Sequence, residues 1–333
     1  MSSIKSSNFS NNHNADSLAS NSNNWCILLK WLILFAAYSF LAYKLLTFNQ
    51  YHELAAQWKQ MPLYQYGWLV LVVILLPVNW LLEAIKWKML ISIIQNISIF
   101  TSYKAVLTGI STGFFTPNRV GELVGRIMFL KAENRKAGVT LSLVNSLTQN
   151  IIMALCGIPA CFIFFTRNSV SLATDITRFV LILFVCLIAF GSIYFALPYL
   201  SRQISQSRFS SKITAFTSCL SNYSWFYLLN VMFVSLLRYV VFCVQFYFML
   251  RLFNVQLEVW QAIVAIPASY LFVTFTPSVA FSEAAVRSSY AVLFIGAFSG
   301  QVVGIALAGI SIWMVNFVVP MFVGSVVMVR KRV

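Results

Sequence analysis

The residues best suited to chemistry lie in one short stretch, 114–126, within a chain that is otherwise almost continuously apolar. Its polar and helix-breaking residues are Thr116, Pro117, Arg119, Gly121, Glu122 and Arg126. A charged group at the depth of a membrane costs about 2.5–3.5 kcal/mol on insertion scales, so such groups point to function. No nucleophile–base pair, phosphate-cradling glycine loop or metal-ligand cluster accompanies them, which favours binding of a charged ligand over covalent catalysis.

A second version of this stretch returns about 160 residues later. Its corresponding residues are Thr276, Pro277, Glu283 and Arg287. Both copies read Phe-Thr-Pro, then a Glu five or six residues after the proline, then an Arg four residues after that Glu. The recurrence of the whole constellation argues against coincidence.

In both copies the Glu and Arg are four residues apart, so on a helix they lie on one face and can pair. One interpretation is a structural ion pair that only neutralises a buried charge. The other is that each pair lines a cavity and exchanges partners when a charged group arrives. Arg238, in the middle of an apolar segment, belongs with these pairs. Glu83 and Lys86 are three apart near a segment end, where Lys86 and Lys88 can instead snorkel toward water.

Each Thr-Pro pair is expected to end one half-helix and to start the next. The threonine hydroxyl can cap the free amides, and the new N-terminus is a seat for phosphate. Arg119 would add bidentate recognition of phosphate. The alternative is a kinked helix with a buried proline. Four glycines around the first break have a four-residue spacing that favours close helix packing: Gly109, Gly113, Gly121 and Gly125.

The composition identifies the class of protein. Charged residues make up 9% of the chain, against about 25% in soluble domains, and 60% of the residues are hydrophobic. The formal charge of +15 comes mostly from basic residues between apolar segments, where they set topology and meet anionic lipid headgroups. Nucleic-acid binding is therefore not expected. The six cysteines are scattered and the two histidines lie in a tail and a loop, so no metal or other cofactor is expected.

Residues 1–24, rich in Ser and Asn, have the composition of a disordered tail, and 25–333 form a single transmembrane domain. Six apolar segments are long enough to cross a hydrocarbon core of about 30 Å. They span about 25–47, 67–94, 139–165, 176–197, 225–250 and 301–328. Two further elements are broken at proline into pieces too short to cross, at about 102–116 with 118–130 and 258–276 with 278–298.

The distribution of Lys and Arg decides how the two broken elements lie. If both fold back as re-entrant hairpins, most basic loops and the basic C-terminus fall on one side, as the positive-inside rule requires. The predicted fold is thus an all-α polytopic membrane protein with six full transmembrane helices, two broken re-entrant hairpins and cytoplasmic termini. The halves at about 67–165 and 225–328 then have opposite orientations, an inverted repeat with its binding site at the breaks.

The run Thr116–Glu122 with Arg126 resembles the signature of the membrane region of lysylphosphatidylglycerol synthase/flippase proteins. The later Thr276-Pro277 with Glu283, and the segment Lys86–Leu90, also resemble motifs of that family. The resemblance implies a flippase-like domain of the cell membrane that moves phospholipid, in some members aminoacylated phosphatidylglycerol, between leaflets. Family members often have glycines after the second proline. This chain has Ser278, Val279, Ala280 and Phe281 there, which predicts a narrower half-cavity.

The leading hypothesis is a lipid translocator, not an enzyme, whose cargo is an anionic or aminoacylated phospholipid. The residues expected to bind the headgroup are Thr116, Pro117, Arg119, Gly121, Glu122, Arg126, Arg238, Thr276, Pro277, Glu283 and Arg287. The arginines and half-helix N-termini would hold the phosphate, and the two glutamates would balance the arginines or meet an amine. No soluble aminoacyl-transferase domain is apparent, so synthesis of lysyl-lipid by this chain is not expected. The alternatives are a non-transporting partner or anchor of a separate lipid- or glycan-modifying enzyme, and an intramembrane enzyme acting on a lipid-linked substrate.

Overall fold

The computed structural model describes residues 62–114, 116, 119–168, 173–206, 216–277 and 280–330, and every regular element in those ranges is helical. The helices are α1 (Tyr66–Ile91), α2 (Ile99–Gly113), α3 (Gly121–Ile127), α4 (Arg135–Asn168), α5 (Ala173–Gln206), α6 (Trp225–Leu252), α7 (Val259–Phe275), α8 (Ala280–Ile295), α9 (Val302–Trp313) and α10 (Val319–Arg330). A π-helical turn, Met314–Val318, joins α9 to α10. The predicted tail at 1–24 and first span at 25–47 lie outside the described residues.

Within the described ranges, five helical segments are long and apolar enough to cross a membrane. They are Leu63–Ile91, Ala132–Arg167, Val180–Ile204, Trp225–Leu252 and Val302–Val329. Each overlaps one of the spans predicted from the sequence. The prediction of an all-helical, multi-pass membrane protein is therefore confirmed for the part of the chain that the structure describes.

The first broken element differs from its prediction at both of its helices. α2 begins at Ile99, three residues earlier than predicted, because the Ser98 hydroxyl accepts a hydrogen bond from the Thr101 amide at 3.1 Å and caps the helix. α3 begins at Gly121 instead of Asn118. Arg119 has a φ of 58°, in the left-handed region, which interrupts the helical path for longer than proline alone would.

α2 and α3 form an antiparallel hairpin whose close approach depends on glycine. A Cβ at Gly121 would lie 2.3 Å from the Thr112 carbonyl oxygen, and one at Gly125 would lie 2.7 Å from the Gly109 Cα. Later positions of α3 thus contact earlier positions of α2, so the two helices are antiparallel. The interpretation of the glycine spacing as a helix-packing pattern is confirmed.

α7 and α8 form the second hairpin, held by aromatic contacts in place of glycines. The Phe272 ring of α7 lies 5.4 Å from the Tyr290 ring and 5.2 Å from the Phe294 ring of α8. Nearer the start of α7, the Trp260 ring lies 5.5 Å from that of Phe298. The contacts run antiparallel, as in the first hairpin.

The first hairpin packs against the last helix of the second half, and the second hairpin packs against the last helix of the first half. α2 lies against α10, where a Cβ on Gly324 would come 2.0 Å from the Leu107 carbonyl oxygen. α7 lies against α4, where a Cβ on Gly157 would come 3.1 Å from the Pro267 carbonyl oxygen. Positions 107 and 267 are 160 apart, as are the two Thr-Pro motifs. α1 and α6, which precede the hairpins, pack against each other.

Candidate functional site

The two hairpin breaks open onto one cavity of about 460 Å³. That volume lies within the usual range for small-ligand sites, about 300–1,000 Å³. Eight charged side chains of the described residues line the cavity, and we call them the central charge cluster. They are Glu83, Lys86, Arg119, Glu122, Arg126, Arg238, Glu283 and Arg287.

Glu83 of α1 is the hub of this cluster and is 2% exposed. Its carboxylate lies 2.7 Å from Arg126 Nη2, 2.8 Å from Arg238 Nη1 and 3.0 Å from Lys86 Nζ. The Asn145 amide of α4 donates a hydrogen bond to Oε1 at 2.7 Å. One carboxylate therefore joins cations from α1, α3 and α6, and its loss would leave three buried charges without their central counter-ion.

Lys86 is wholly buried, which rules out the alternative that it snorkels toward water. Its ammonium also donates to the Asn145 carbonyl oxygen at 3.4 Å and to Gln149 Oε1 at 3.3 Å. Two polar groups of α4 and the Glu83 carboxylate thus hold the ammonium in the interior. The sequence does not reveal that Lys86 points into the protein, because the apolar residues on either side of it are also found at the end of an ordinary transmembrane span.

Arg238, predicted as a site residue, occupies the cluster from α6. Besides its ion pair with Glu83, its Nε donates to Asn79 Oδ1 at 2.9 Å. The Asn79 amide in turn donates to Asn316 Oδ1 at 3.3 Å. This chain of polar groups links α6 to α1 and to the π-helical turn.

Arg126 is buried, at 4% exposure. Its Nη2 lies 3.0 Å from Glu122 Oε2, so the predicted four-residue pair forms, and it also reaches Glu83. The Nε and Nη1 atoms of Arg126 have no hydrogen-bond partner among the described residues. Gly109 leaves the space for this side chain, since a Cβ there would lie 2.9 Å from Arg126 Cγ.

Arg119 and Glu283 connect the two hairpins. Arg119 Nη2 donates to both Glu283 oxygens at 2.7 Å, and its Nη1 lies 3.8 Å from Glu122 Oε1. Glu283 also accepts from Arg287 Nη2 at 2.9 Å, so the second predicted four-residue pair forms as well. Arg119 remains 33% exposed. It is the arginine that a ligand would reach first among those of the central charge cluster.

Phe317 provides an aromatic surface between two of the arginines. Arg119 Cζ lies 3.6 Å and Arg287 Cζ 5.1 Å from the centre of its ring. Such cation–π contacts are worth about 0.5–2 kcal/mol and hold a guanidinium in place. Phe317 sits in the π-helical turn, a feature often found at functional sites.

Nine of the eleven residues predicted to bind the headgroup line the cavity: Thr116, Arg119, Glu122, Arg126, Arg238, Thr276, Pro277, Glu283 and Arg287. Gly121 packs against α2 instead, and Pro117 lies outside the described residues. The Thr116 hydroxyl accepts from the Gly121 amide at 2.7 Å, the cap expected at the first break. The Thr276 hydroxyl lies 2.9 Å from that of Tyr290, which fastens the second break to α8.

Sequence reasoning left several cavity residues out of the site. Glu83 and Lys86 were noted as a pair but not assigned to it, and Phe317 was missed. Asn145 and Gln149 carried a usable signal, because amide side chains in an apolar span require buried partners. Phe317 carried none, since phenylalanine is common in every span of this chain.

The charged side chains that line the cavity favour an anionic ligand. Among the described residues, no group of three or more His, Cys, Asp or Glu side chains could hold a metal ion. Five cationic and three anionic side chains line the space, which leaves a formal surplus of two positive charges. Arginine recognises phosphate or carboxylate through paired N–H donors.

These features define a class: a helical, multi-pass membrane protein with a charged cavity between two broken-helix hairpins. The chain belongs to the family described as the lysylphosphatidylglycerol synthase TM region, which matches residues 27–324. The match covers most of the chain and confirms the resemblance seen in the Thr-Pro motifs. It assigns the chain to membrane domains of lipid-related function. No curated protein and no solved structure gives a significant match.

Proposed function

We propose that this protein is a lipid translocator that passes the polar headgroup of a phospholipid through the central cavity, from one leaflet to the other. The observation that carries the proposal is the central charge cluster, placed where both hairpins break. Moving a phosphate headgroup across hydrocarbon is costly because nothing there replaces its water. A cavity with arginine donors at that depth lowers this cost.

The cavity has room for a headgroup but not for a whole lipid. Its volume of about 460 Å³ suits a polar group, while the acyl chains would stay in the bilayer. The transmembrane helices carry exposed apolar side chains suited to lipid, such as Val73 on α1, Phe190 on α5 and Phe233 on α6.

The arginines carry the larger part of headgroup binding in this proposal. Glu122 and Glu283 already occupy the first turns of α3 and α8, where they meet the positive ends of the helix dipoles. The Gly121 amide is bonded to Thr116 as well. Guanidinium groups are thus better placed than the half-helix N-termini to receive a phosphate.

Access would alternate because the two halves form an inverted repeat of hairpins that are re-entrant in the membrane. The matched packing of α2 on α10 and of α7 on α4, at positions 160 apart, supports this arrangement. In such folds one half rocks against the other around a fixed central site. The distribution of Lys and Arg places both termini in the cytoplasm when the hairpins are re-entrant.

Arg119 is the group proposed to exchange partners during transport. It binds Glu283 at 2.7 Å and lies 3.8 Å from Glu122, so a small displacement moves it between hairpins. A phosphate arriving at Arg119 would release Glu283, and with it the contact that ties the hairpins together. The movement is driven by the lipid gradient or by a coupled ion.

The test is headgroup accessibility in proteoliposomes. Fluorescent phosphatidic acid, phosphatidylglycerol, its lysyl form and phosphatidylethanolamine are reconstituted separately with the protein, and dithionite bleaches only the outer leaflet. We expect bleaching beyond the outer-leaflet fraction for at least one lipid. The variants Glu122→Gln and Arg126→Ala should lose this activity. Arg135→Gln, which removes an exposed charge that does not line the cavity, should keep it.

Each outcome has a defined meaning. Unchanged transport in both cavity variants would refute the assigned site. No movement of any lipid by folded wild-type protein would refute the translocator and favour a partner subunit of a separate enzyme. Turnover of a lipid by the purified protein would favour an intramembrane enzyme.

A further inference from the structure

The charge of the cavity bears on the chemical class of the headgroup. Five cations and three carboxylates line it in the part of the chain that the structure describes, a formal excess of two positive charges. Buried charge that is not neutralised is expensive, since solvent no longer screens it. The ligand that best completes this site therefore carries two negative charges.

The hydrogen-bond inventory of the buried arginines points the same way. Arg126 is 4% and Arg287 8% exposed. Arg126 Nε and Nη1 and Arg287 Nε are buried donors with no acceptor among the described residues. Both side chains line the cavity. Donors without acceptors suit a ligand that only accepts, and a fully ionised phosphate is such a group.

We infer that the site selects a phosphate monoester in its dianionic form over phosphodiester, zwitterionic and aminoacylated headgroups. The inference rests on the proposed cargo site and narrows its substrate class. A phosphodiester supplies one negative charge and leaves one of the two excess charges unmatched. A zwitterionic headgroup supplies no net charge, and an aminoacylated headgroup adds an ammonium to a cavity that is already positive.

The resident carboxylates show how such a headgroup would enter. Glu283 accepts from Arg119 and Arg287, so its carboxylate occupies the position of an anion between two guanidinium groups. Arg119 is the more exposed of the two, and a dianion offers it a stronger partner than a carboxylate does. The headgroup phosphate would take over Arg119 and reach the free donors of Arg126.

The first experiment measures ligand stabilisation of the purified protein by tryptophan-fluorescence melting in detergent. The probes are phosphatidic acid, phosphatidylglycerol and phosphatidylcholine with identical acyl chains, each at pH 8 and pH 5. A phosphate monoester loses its second charge below a pKa of about 6, whereas a diester keeps its single charge throughout. A ligand that binds only the folded protein raises its melting temperature, and the stabilisation grows with the logarithm of the ratio of ligand concentration to Kd.

At pH 8 we expect phosphatidic acid to bind about ten- to a hundredfold more tightly than phosphatidylglycerol, the effect of one further charge-assisted interaction. At pH 5 the difference should shrink to within about threefold. Phosphatidylglycerol is the control for titration of the protein's own groups, because such titration would change both lipids. Equal affinities at pH 8, or a preference that persists at pH 5, would overturn the inference.

Soluble glycerol 3-phosphate and inorganic phosphate form a second arm that identifies the source of the phosphate. Stabilisation by phosphatidic acid well above that by glycerol 3-phosphate supports a lipid-borne monoester. Equal stabilisation supports the charge class but indicates a water-soluble phosphate, which contradicts the lipid translocator.

A variant changes the charge balance directly. Arg119→Gln lowers the excess to one positive charge, and the partial exposure of Arg119 favours retention of the fold. We expect its preference for phosphatidic acid over phosphatidylglycerol at pH 8 to fall about tenfold, with Arg135→Gln unchanged. An undiminished preference in Arg119→Gln would overturn the inference. Because transport is measured separately, translocation without monoester preference would refute only the inference, and preference without translocation only the proposed function.

Discussion

Arg119 and Glu283, 164 positions apart in the chain, form an ion pair in which Arg119 Nη2 donates to both carboxylate oxygens at 2.7 Å. The pair joins the break of the first hairpin to the first turn of α8 in the second. The sequence repeat supplies no matching arginine in the second hairpin, since Val279 stands 160 positions after Arg119. Arg119 of the first hairpin therefore contacts a glutamate of each hairpin, Glu122 and Glu283.

The first prediction concerns the strength of this connection. Arg119→Gln and Glu283→Gln should each lower the free energy of unfolding, and the double variant should be less destabilised than the sum of the two. Residues in direct contact typically couple by about 0.5–3 kcal/mol. Because Arg119 is one-third exposed, we expect about 1 kcal/mol. The measurement is a double-mutant cycle by SDS-unfolding titration.

The matched control is a second cycle in which Glu122→Gln takes the place of Glu283→Gln. Glu122 lies 3.8 Å from Arg119, too far for a short hydrogen bond, so its coupling should be smaller. Larger coupling to Glu122 than to Glu283 would show that the ion pair is arranged differently in solution.

The second prediction concerns Glu83. Glu83→Gln leaves three cations without their shared carboxylate, and breaking a buried pair by removing one partner costs about 3–5 kcal/mol. We expect a large drop in melting temperature, and partial recovery in Glu83→Gln/Lys86→Met, where one cation is also removed. Glu133→Gln, at an exposed acid, should change stability by less than about 0.5 kcal/mol. If Glu83→Gln were as stable as the wild-type protein, Glu83 would not be the central counter-ion of the cluster.

Glu83 also shows where reasoning from the sequence stops. The repeated Thr-Pro, Glu and Arg pattern predicts both helix breaks and both four-residue ion pairs, because these depend on local spacing alone. The role of Glu83 depends on α1, α3 and α6 converging, which no local pattern encodes. A Glu and a Lys three apart near a span end also fit a snorkelling pair.

The backbone at the first break gives a second example. Proline predicts that a helix stops, but the left-handed conformation of Arg119 delays the next helix to Gly121. Arginine has no intrinsic preference for that conformation, so only the contacts around it can impose it. The closest partners of Arg119, Glu283 and Phe317, lie in the second hairpin and the π-helical turn, far away in sequence.

The third prediction concerns Phe317. Phe317→Leu keeps the apolar volume but removes the ring beneath Arg119 and Arg287, and a cation–π contact is worth about 0.5–2 kcal/mol. We expect headgroup affinity to fall several-fold with little change in melting temperature. The readout is lipid titration by tryptophan fluorescence. Phe233→Leu, on an exposed apolar face of α6, is the matched control, and an equal loss in both variants would refute a role for the ring.

The fourth prediction tests the matched packing of the two halves. Gly324→Ala would place a Cβ 2.0 Å from the Leu107 carbonyl oxygen, a backbone atom that cannot move without displacing α2. Gly157→Ala would place one 2.6 Å from the Leu271 Cβ, at the corresponding contact of α4 with α7. Overpacking typically costs about 1–3 kcal/mol, and we expect the loss to be larger at Gly324, where backbone must yield.

Gly191 of α5 provides the control for both changes, because a Cβ there would meet nothing within 4 Å. Gly191→Ala should leave stability unchanged or raise it by up to about 1 kcal/mol, the helix-propensity difference between the two residues. The measurement is the melting temperature of the three single variants in the same detergent. The expected order is Gly324→Ala lowest, then Gly157→Ala, then wild type and Gly191→Ala. If Gly157→Ala and Gly324→Ala were both as stable as Gly191→Ala, the helices would not approach as closely as described. The packing support for an inverted repeat would then be lost.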